Sequence, residues 1–435
     1  MKPTINLLIA AGIIMSATSA FATNGDNLIG LGAKSRAMGG TGIAHYSGAE
    51  SATSNPALIT KSKGSNIAFG GTYFRPDVEV STNGTQNGTG GADLTASSQA
   101  TNNVIPFVAL TENLDNGFVI GTSMFGSAGM GTDWRDEPIN NPATGDMGLY
   151  AMRSNLLLLK FSVPIAYGQD NWSIGIAPVL MYGALDMSFN TPTGGQVGNG
   201  SSNDFGFGFQ AGAQYTLQDL GLTVAAMYQS SLEMTYRDQI STAGAAFGFV
   251  GTPGGGASFS DTLEQPVEMG IGVDWTEGDI SVTADLKQIQ WADAKGYGDF
   301  GWEDQTVIAV GTEYRMDKLS LRLGFNYAEN PIQENTNTIQ ASTGLDITDP
   351  LFDPANGGTI GDSMNALNAV MFPAVTESHY TVGAGYHFTK NVGADLAFTY
   401  ATSGSHDYAA STVGLGTVTV KNDQIAISGN LNYTF

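Results

Sequence analysis

Residues 424–435 read QIAISGNLNYTF, and the alternation in that stretch decides the fold. Ile425, Ile427, Gly429, Leu431, Tyr433 and Phe435 fall on one face of an extended chain, with Gln424, Ser428, Asn430, Asn432 and Thr434 on the other, because successive side chains of a strand point to opposite sides. The pattern returns in Leu319, Leu321, Leu323, Phe325 and Tyr327 against Ser320, Arg322, Gly324 and Asn326. It returns again in Tyr380, Val382, Ala384, Tyr386 and Phe388, and in Val392, Ala394, Leu396, Phe398 and Tyr400. The apolar face is expected to meet lipid. A soluble sandwich also alternates, but Trp172, Tyr215, Trp275, Tyr314, Tyr386 and Tyr433 all stand near short turns, where an interfacial aromatic girdle belongs.

Connection lengths alternate as regularly as the side chains. Short turns occur at 113–116, 168–171, 218–221, 277–279, 317–318 and 389–391, and long polar loops at about 81–102, 130–149, 189–204, 238–260, 292–303, 331–375 and 405–417. Thirteen connections imply fourteen strands. Short turns on one side and long loops on the other mark an outer-membrane barrel with periplasmic turns. The 435 residues include 58 glycines, only 13% charged residues and no cysteine. Such a composition suits one β-rich object and leaves no disulfide or thiolate site. Mean hydropathy is −0.04. After residue 22 no apolar run approaches the roughly 18–20 residues of a spanning helix.

Residues 1–22 read as a secretory signal, with Lys2, an apolar Leu7 to Met15 core and Ala20-Phe21-Ala22 as the cleavage site. Residues 23–63 are small and irregular, with no strand alternation, and read as a plug whose polar backbone finds partners inside a barrel of residues 64–435. A net charge of −23 excludes a general nucleic-acid binder. Acidic residues such as Asp133, Asp136, Glu137, Asp346, Asp349 and Asp353 fall in loops. They are either solvated or bridged by divalent cations to anionic surface lipid.

Several strands break the alternation. Leu156 and Leu158 oppose Leu157, Leu159 and Phe161; Val179 and Met181 oppose Leu180 and Tyr182; Val307 and Ala309 oppose Ile308 and Val310. Apolar residues on the lumen face suit a lumen packed against its plug or one that binds a hydrophobe. In TSMFGSAGMG (residues 122–131) three glycines weaken ladder pairing, giving either a bulge or a flexible lead into the next loop.

Gly30-Leu31-Gly32, Gly39 to Gly42 and Asn55-Pro56-Ala57-Leu58-Ile59-Thr60 ahead of the first strand resemble the FadL family of outer-membrane transporters of hydrophobic compounds. Similarity continues through Pro76-Asp77-Val78, Thr122-Ser123 with Gly126, Trp172-Ser173 with Gly175, Ala211-Gly212 with Tyr215, Trp291, residues 308–312 and the final Asn430 to Phe435. The resemblance implies an all-β, 14-stranded antiparallel barrel with an N-terminal lumenal plug. It also implies an inward kink of the third strand, at Ser123, Met124, Phe125 and Gly126, touching the Asn55-Pro56-Ala57 motif and opening sideways to the membrane. The closing aromatics Tyr433 and Phe435 would serve as the barrel-assembly signal.

Ser123, Phe125, Leu156, Leu158, Val179, Met181 and Val307 form the candidate ligand-contacting set. Fatty-acid members of the family hold the head group with a serine and two basic residues. Ser123 matches the serine, whereas the aligned basic positions hold Ala184 and Glu303, so Lys160, Lys287 or Arg322 would have to substitute, or else the ligand is a neutral hydrocarbon. Histidines His45, His379, His387 and His406 lack metal-ligand spacing, and Ser378 and His379 point to opposite faces. The expectation is a monomeric, non-enzymatic transporter of the bacterial outer membrane, without cofactor or metal. Its partners would be a fatty acid or hydrocarbon, outer-membrane lipid and lipopolysaccharide. A structural or adhesive barrel with acidic binding loops and a hydrophilic porin are the competing readings.

Overall fold

The computed structural model describes residues 23–83, 85–86, 89–90, 93–137, 148–190, 195–246, 260–335, 360–411 and 415–435. Residues 1–22, expected to be a signal, and Asp346, Asp349 and Asp353 lie outside them. Fourteen antiparallel strands form the wall. They are β1 (Ser65–Thr82), β2 (Asn103–Asn113), β3 (Phe118–Asp133), β4 in two runs (Arg153–Ser162 and Ile165–Gln169), β5 (Trp172–Asn190), β6 (Ser202–Leu217) and β7 (Leu222–Gln229). The second half holds β8 (Glu268–Glu277), β9 (Ile280–Ile289), β10 (Gln305–Met316), β11 (Leu319–Ala328), β12 (Ser378–His387), β13 (Val392–Thr402) and β14 (Gly416–Thr434). Each pairs with the next, and β14 closes the cylinder on β1 from Val418↔Thr82 to Thr434↔Asn66. Closure joins the first and last strands, as the hydrocarbon interior requires.

The lipid-facing set follows the alternation. Ile427, Leu323, Leu396 and Phe398 are exposed while Ser428, Arg322, Asp395 and Thr399 are buried in the lumen. All six girdle aromatics are exposed, and Trp172 sits directly opposite Tyr215 across the β5–β6 pair. Several of the expected loops carry structure of their own. The chain beyond β1 folds back as Leu94–Ser97 against residues 79–82, and His406–Ala410 pairs with residues 416–420, so these two loops begin as hairpin extensions of the wall. The 331–375 loop contains a helix, Ile360–Met371.

That helix is buried on every described side and closes the long-loop end of the barrel. The carbonyl of Val370 accepts from Thr132 Oγ1 (2.7 Å) and Trp134 Nε1 (2.8 Å), and Asn368 Nδ2 donates to the carbonyl of Phe300 (2.8 Å). Around it Trp134, Trp291, Tyr297, Phe300 and Trp302 form one apolar core with Met364 and Leu367. The lumen is therefore filled from both ends. A charge placed on the lipid face has no such compensation: Leu323→Arg should destabilise the barrel by about 2–4 kcal/mol, read as a shift of the urea unfolding midpoint in phospholipid vesicles, and an unchanged midpoint would contradict this orientation of β11.

Candidate functional site

Residues 23–62 lie within the lumen, tied to the wall strand by strand. Asp285 of β9 accepts from the backbone N–H of Gly42 (2.7 Å) and Ile43 (3.0 Å), and His45 Nδ1 meets Asp274 Oδ1 of β8 at 2.8 Å. Thr381 of β12, Asn326 of β11 and Asn430 of β14 bond to Gly39 and Glu50. At the base, Arg322 spans Glu313 and Asp395 at 2.7 Å each, and Lys34 of the plug approaches Asp395 at 3.8 Å. Arg322 thus projects into the lumen but is wholly engaged by two carboxylates. Wall and plug approach so closely that a side chain at Gly324 would collide with the Gly39 backbone.

The third strand bulges between Gly126 and Ala128. Its pairing with β2 ends at Phe107↔Phe125, and above that point Asn103–Pro106 of β2 pair only with β1. The two chains meet again where Gln99 donates to the carbonyl of Asp133 (2.9 Å). Over the intervening stretch of β3 the backbone turns to the plug instead. Asn27 pairs with Ala128, and the N–H of Gly129 donates to the carbonyl of Asp26 (3.1 Å).

The Asn55-Pro56-Ala57 motif makes its polar contacts elsewhere. Asn55 caps the 3-10 turn Pro56–Lys61 through Ala57 N (3.0 Å) and donates to the carbonyls of Ile43 (2.8 Å) and Ala226 of β7 (3.3 Å). Ser173 of β5 donates to the carbonyl of Ala57 (2.8 Å). A side chain at Gly212 of β6 would strike Asn55, and one at Gly175 of β5 would strike Pro56. The motif therefore anchors the plug to β5, β6 and β7, and it is Asp26 and Asn27 that pair with the kink.

Between plug and wall lies a cavity of about 100 Å³. Its apolar lining includes Leu28, Ile29, Phe125, Met181, Met227 and Val307, and its polar lining includes Lys160, Lys287, Glu268 and Gln229. Lys287 is paired with Glu268 at 2.7 Å. Lys160, 5% exposed, donates to Gln229 Oε1, lies 5.8 Å from the Phe125 ring centroid, and has no carboxylate within ion-pair distance among the described residues.

The structure divides the candidate ligand-contacting set. Phe125, Met181 and Val307 reach the cavity, whereas Leu156, Leu158 and Val179 are buried in the apolar core that extends to the loops. Ser123 is bonded to Ser162 Oγ at 2.7 Å and does not line the cavity. The two aligned head-group positions also lie away from it: Ala184 shares the outward face with Tyr182, and Glu303 is exposed in the loop before β10. Of the three substitute cations, Lys160 and Lys287 reach the cavity.

Above the cavity, Asp26 is fully buried, accepting from Tyr297 Oη and from Gln265 Nε2 (3.0 Å). The indole of Trp291 lies against Gly25, whose φ of +67° and 2.6 Å clearance from the ring leave no room for a side chain. Burial pushes the Asp26 carboxyl up to about 7, while the free side chain titrates near 4. Between those values the docked state binds the extra proton, so docking of the plug's N-terminal turn should strengthen as pH falls from 7 toward 4, the gain being lost as pH rises through 7 and level above it. Hydrogen exchange of residues 23–30 at pH 5 and pH 8 reads this directly: protection should be greater at pH 5, and Asp26→Asn should flatten the difference. Equal protection in the unsubstituted protein at both pH values would contradict it.

Comparison with known proteins places this geometry. The chain matches the family model described as outer membrane protein transport protein (OMPP1/FadL/TodX) over residues 8–344. It is 24% identical over 401 residues to the 47 kDa outer membrane protein of Pasteurella multocida (strain Pm70), covering 88% of this chain and 87% of that protein. An uncharacterized Chlorobium limicola protein encoded in a phosphoenolpyruvate carboxykinase gene 5' region is 46% identical over 86 residues, 19% of this chain and 42% of that protein, so the match spans less than half of that relative. Among solved structures, the P. putida toluene transporter TodX superposes with a TM-score of 0.65 at 19% identity, covering 94% of this chain and 99% of TodX. A Pseudomonas aeruginosa FadL homologue gives 0.65 at 16% identity, covering 94% and 100%. At those identities the two structures establish the fold.

Proposed function

Because the chain belongs to the FadL/TodX family of outer-membrane transport proteins, we propose that it carries hydrophobic molecules with an acidic head group, of the long-chain fatty acid class, and releases them sideways between β2 and β3. The protein is an outer-membrane β-barrel of a family that transports hydrophobic compounds, not a family of enzymes. The observation that carries the finer reading is Lys160, a buried ammonium set among Phe125, Met181 and Val307 that makes no ion pair of its own among the described residues, the nearby Glu268 being paired with Lys287. Holding an unpaired charge out of water costs several kcal/mol, and the carboxylate of a bound acid offsets that cost. The tail contributes about 0.8 kcal/mol for each CH2 kept from water.

In this mechanism the molecule enters from the long-loop rim, and the plug with its Asn55-Pro56-Ala57 anchor holds the cavity's floor. Ser123, Met124, Phe125 and Gly126 form the kink through which the tail leaves into lipid. Passage is downhill diffusion, driven by the tail's gain in an apolar phase. Lateral release spares it the aqueous periplasm. Leu156, Leu158 and Val179 support the wall above, and Tyr433 and Phe435 at the last strand's end direct assembly.

A second reading, a neutral monoaromatic hydrocarbon, is favoured by the small cavity, since an apolar cavity of about 150 Å³ holds benzene. TodX and the Ralstonia pickettii protein TbuX are both described as toluene transporters. A neutral ring, however, leaves Lys160 unanswered. Calorimetric binding of laurate and dodecane to the detergent-solubilised protein separates the two readings. Laurate should bind more tightly, and Lys160→Met should weaken it about 10- to 100-fold, the worth of a charge-assisted hydrogen bond. Equal affinity for both ligands, with Lys160→Met silent, would favour the hydrocarbon.

A further inference from the structure

A second buried cation stands at the gap itself. The plug's short helix α1 (Ala33–Ala37) carries Arg36, 1% exposed. Its Nη1 has no hydrogen-bond partner, and among the described residues no carboxylate lies within ion-pair distance of it. The other charges of the plug's base are answered: Arg322 by Glu313 and Asp395, Lys34 by Asp395, and Glu50 by Asn430 at 2.6 Å and the Lys34 N–H at 3.2 Å. The nearby His379 of β12, a fully buried imidazole, offers no negative charge. Burial lowers the guanidinium to about 10, so it keeps its charge at neutral pH.

Arg36 lines a cavity of about 10 Å³ together with Thr72 of β1, Ile105 and Phe107 of β2 and Phe125 and Gly126 of β3. This is the place where β3 leaves β2. Leu28, Leu31 and Phe125 line this cavity and the larger one alike. Phe125 is therefore a partition between two cations, Lys160 on the side of the large cavity and Arg36 on the side of the gap.

We propose that Arg36 is an exit subsite for the carboxylate: the acid held at Lys160 passes Phe125 and is received by Arg36, between β2 and β3. This rests on the acidic-ligand reading given above and deepens it. A guanidinium presents paired N–H donors that match a carboxylate, and Ile105, Phe107 and Phe125 receive the first methylenes. A space of about 10 Å³ holds about one water, so a head group arriving there displaces Ile105 from Gly126 and widens the gap. Carboxylate binding at Arg36 and opening of the gap are one event, and the ligand favours the open state by the contact it makes only there. Release follows because lipid takes the tail while the head group moves outward to the interface.

The test uses the full-length protein in proteoliposomes, with laurate and methyl laurate as probes and Arg36→Met and Arg36→Lys as variants. Arg36→Met should lower the laurate-to-ester uptake ratio about tenfold, the worth of one charge-assisted contact, and Arg36→Lys should recover most of it. An unchanged ratio, or equal slowing of acid and ester, overturns the subsite and leaves Arg36 a structural role. Heat-modifiable gel mobility verifies that each barrel has formed. If Arg36→Met does not form one, Arg36→Gln is judged by the same ratio. Lys160→Met, measured by equilibrium laurate binding, keeps the two ideas apart. Laurate binding that ignores Lys160 removes the first reading, while the acid-to-ester ratio still decides the second.

Discussion

The bulge between Gly126 and Ala128 is the constraint on which the functional arrangement depends. At membrane depth every backbone N–H and carbonyl needs a partner, and a strand that leaves its neighbour must find another. The third strand finds it in the plug, at Asn27 and Asp26. Plug, kink and cavity are consequently one unit: the plug cannot shift without freeing the strand's edge, and the gap cannot widen without disturbing Leu28 and Leu31. Phe125, the last β3 residue paired with β2, stands where all three meet.

Charge is distributed over this unit unevenly. Arg322, Glu313, Asp395 and Lys34 make a buried network at the plug's base, and removing one member would leave its partners as uncompensated charges. Such a network specifies how the plug is seated. Lys160 and Arg36 make no ion pair among the described residues, and both border cavities that share apolar walls. A buried cation beside an apolar wall is costly for stability and suited to an amphiphile, which brings its own anion and its own hydrocarbon.

Much of the wall was legible in the sequence. Strand count, turn positions, lipid face and girdle follow from a period of two and from turn chemistry, both local properties that tertiary context reinforces. The 360–371 helix was not legible among Gly, Asp and Asn, although Ile360, Met364, Leu367 and Met371 keep helical spacing. Its burial against Trp134, Phe300 and Trp302 stabilises it where propensity alone does not. The site was legible in part. Lys160 shares its parity with Leu156 and Leu158, so its lumenal direction could be read, but which lumenal residues border the cavity depends on how the plug fills the space. Ala184 shares its parity with the outward-facing Tyr182, so its direction away from the lumen could be read in the same way. Arg36 carried only a faint signal, a lone guanidinium in a run of small residues.

If the ligand leaves between β2 and β3 as proposed, closing that gap must stop transport. The chain has no cysteine, and a Cβ placed at Gly126 lies 3.8 Å from that of Ile105, the usual spacing across a disulfide. A protein carrying Ile105→Cys and Gly126→Cys can be sealed at the gap by oxidation and reopened by reduction. Laurate uptake into proteoliposomes should stop in the oxidised protein and return on reduction, with laurate binding at the cavity retained in both. Undiminished uptake through the sealed barrel would contradict the lateral route.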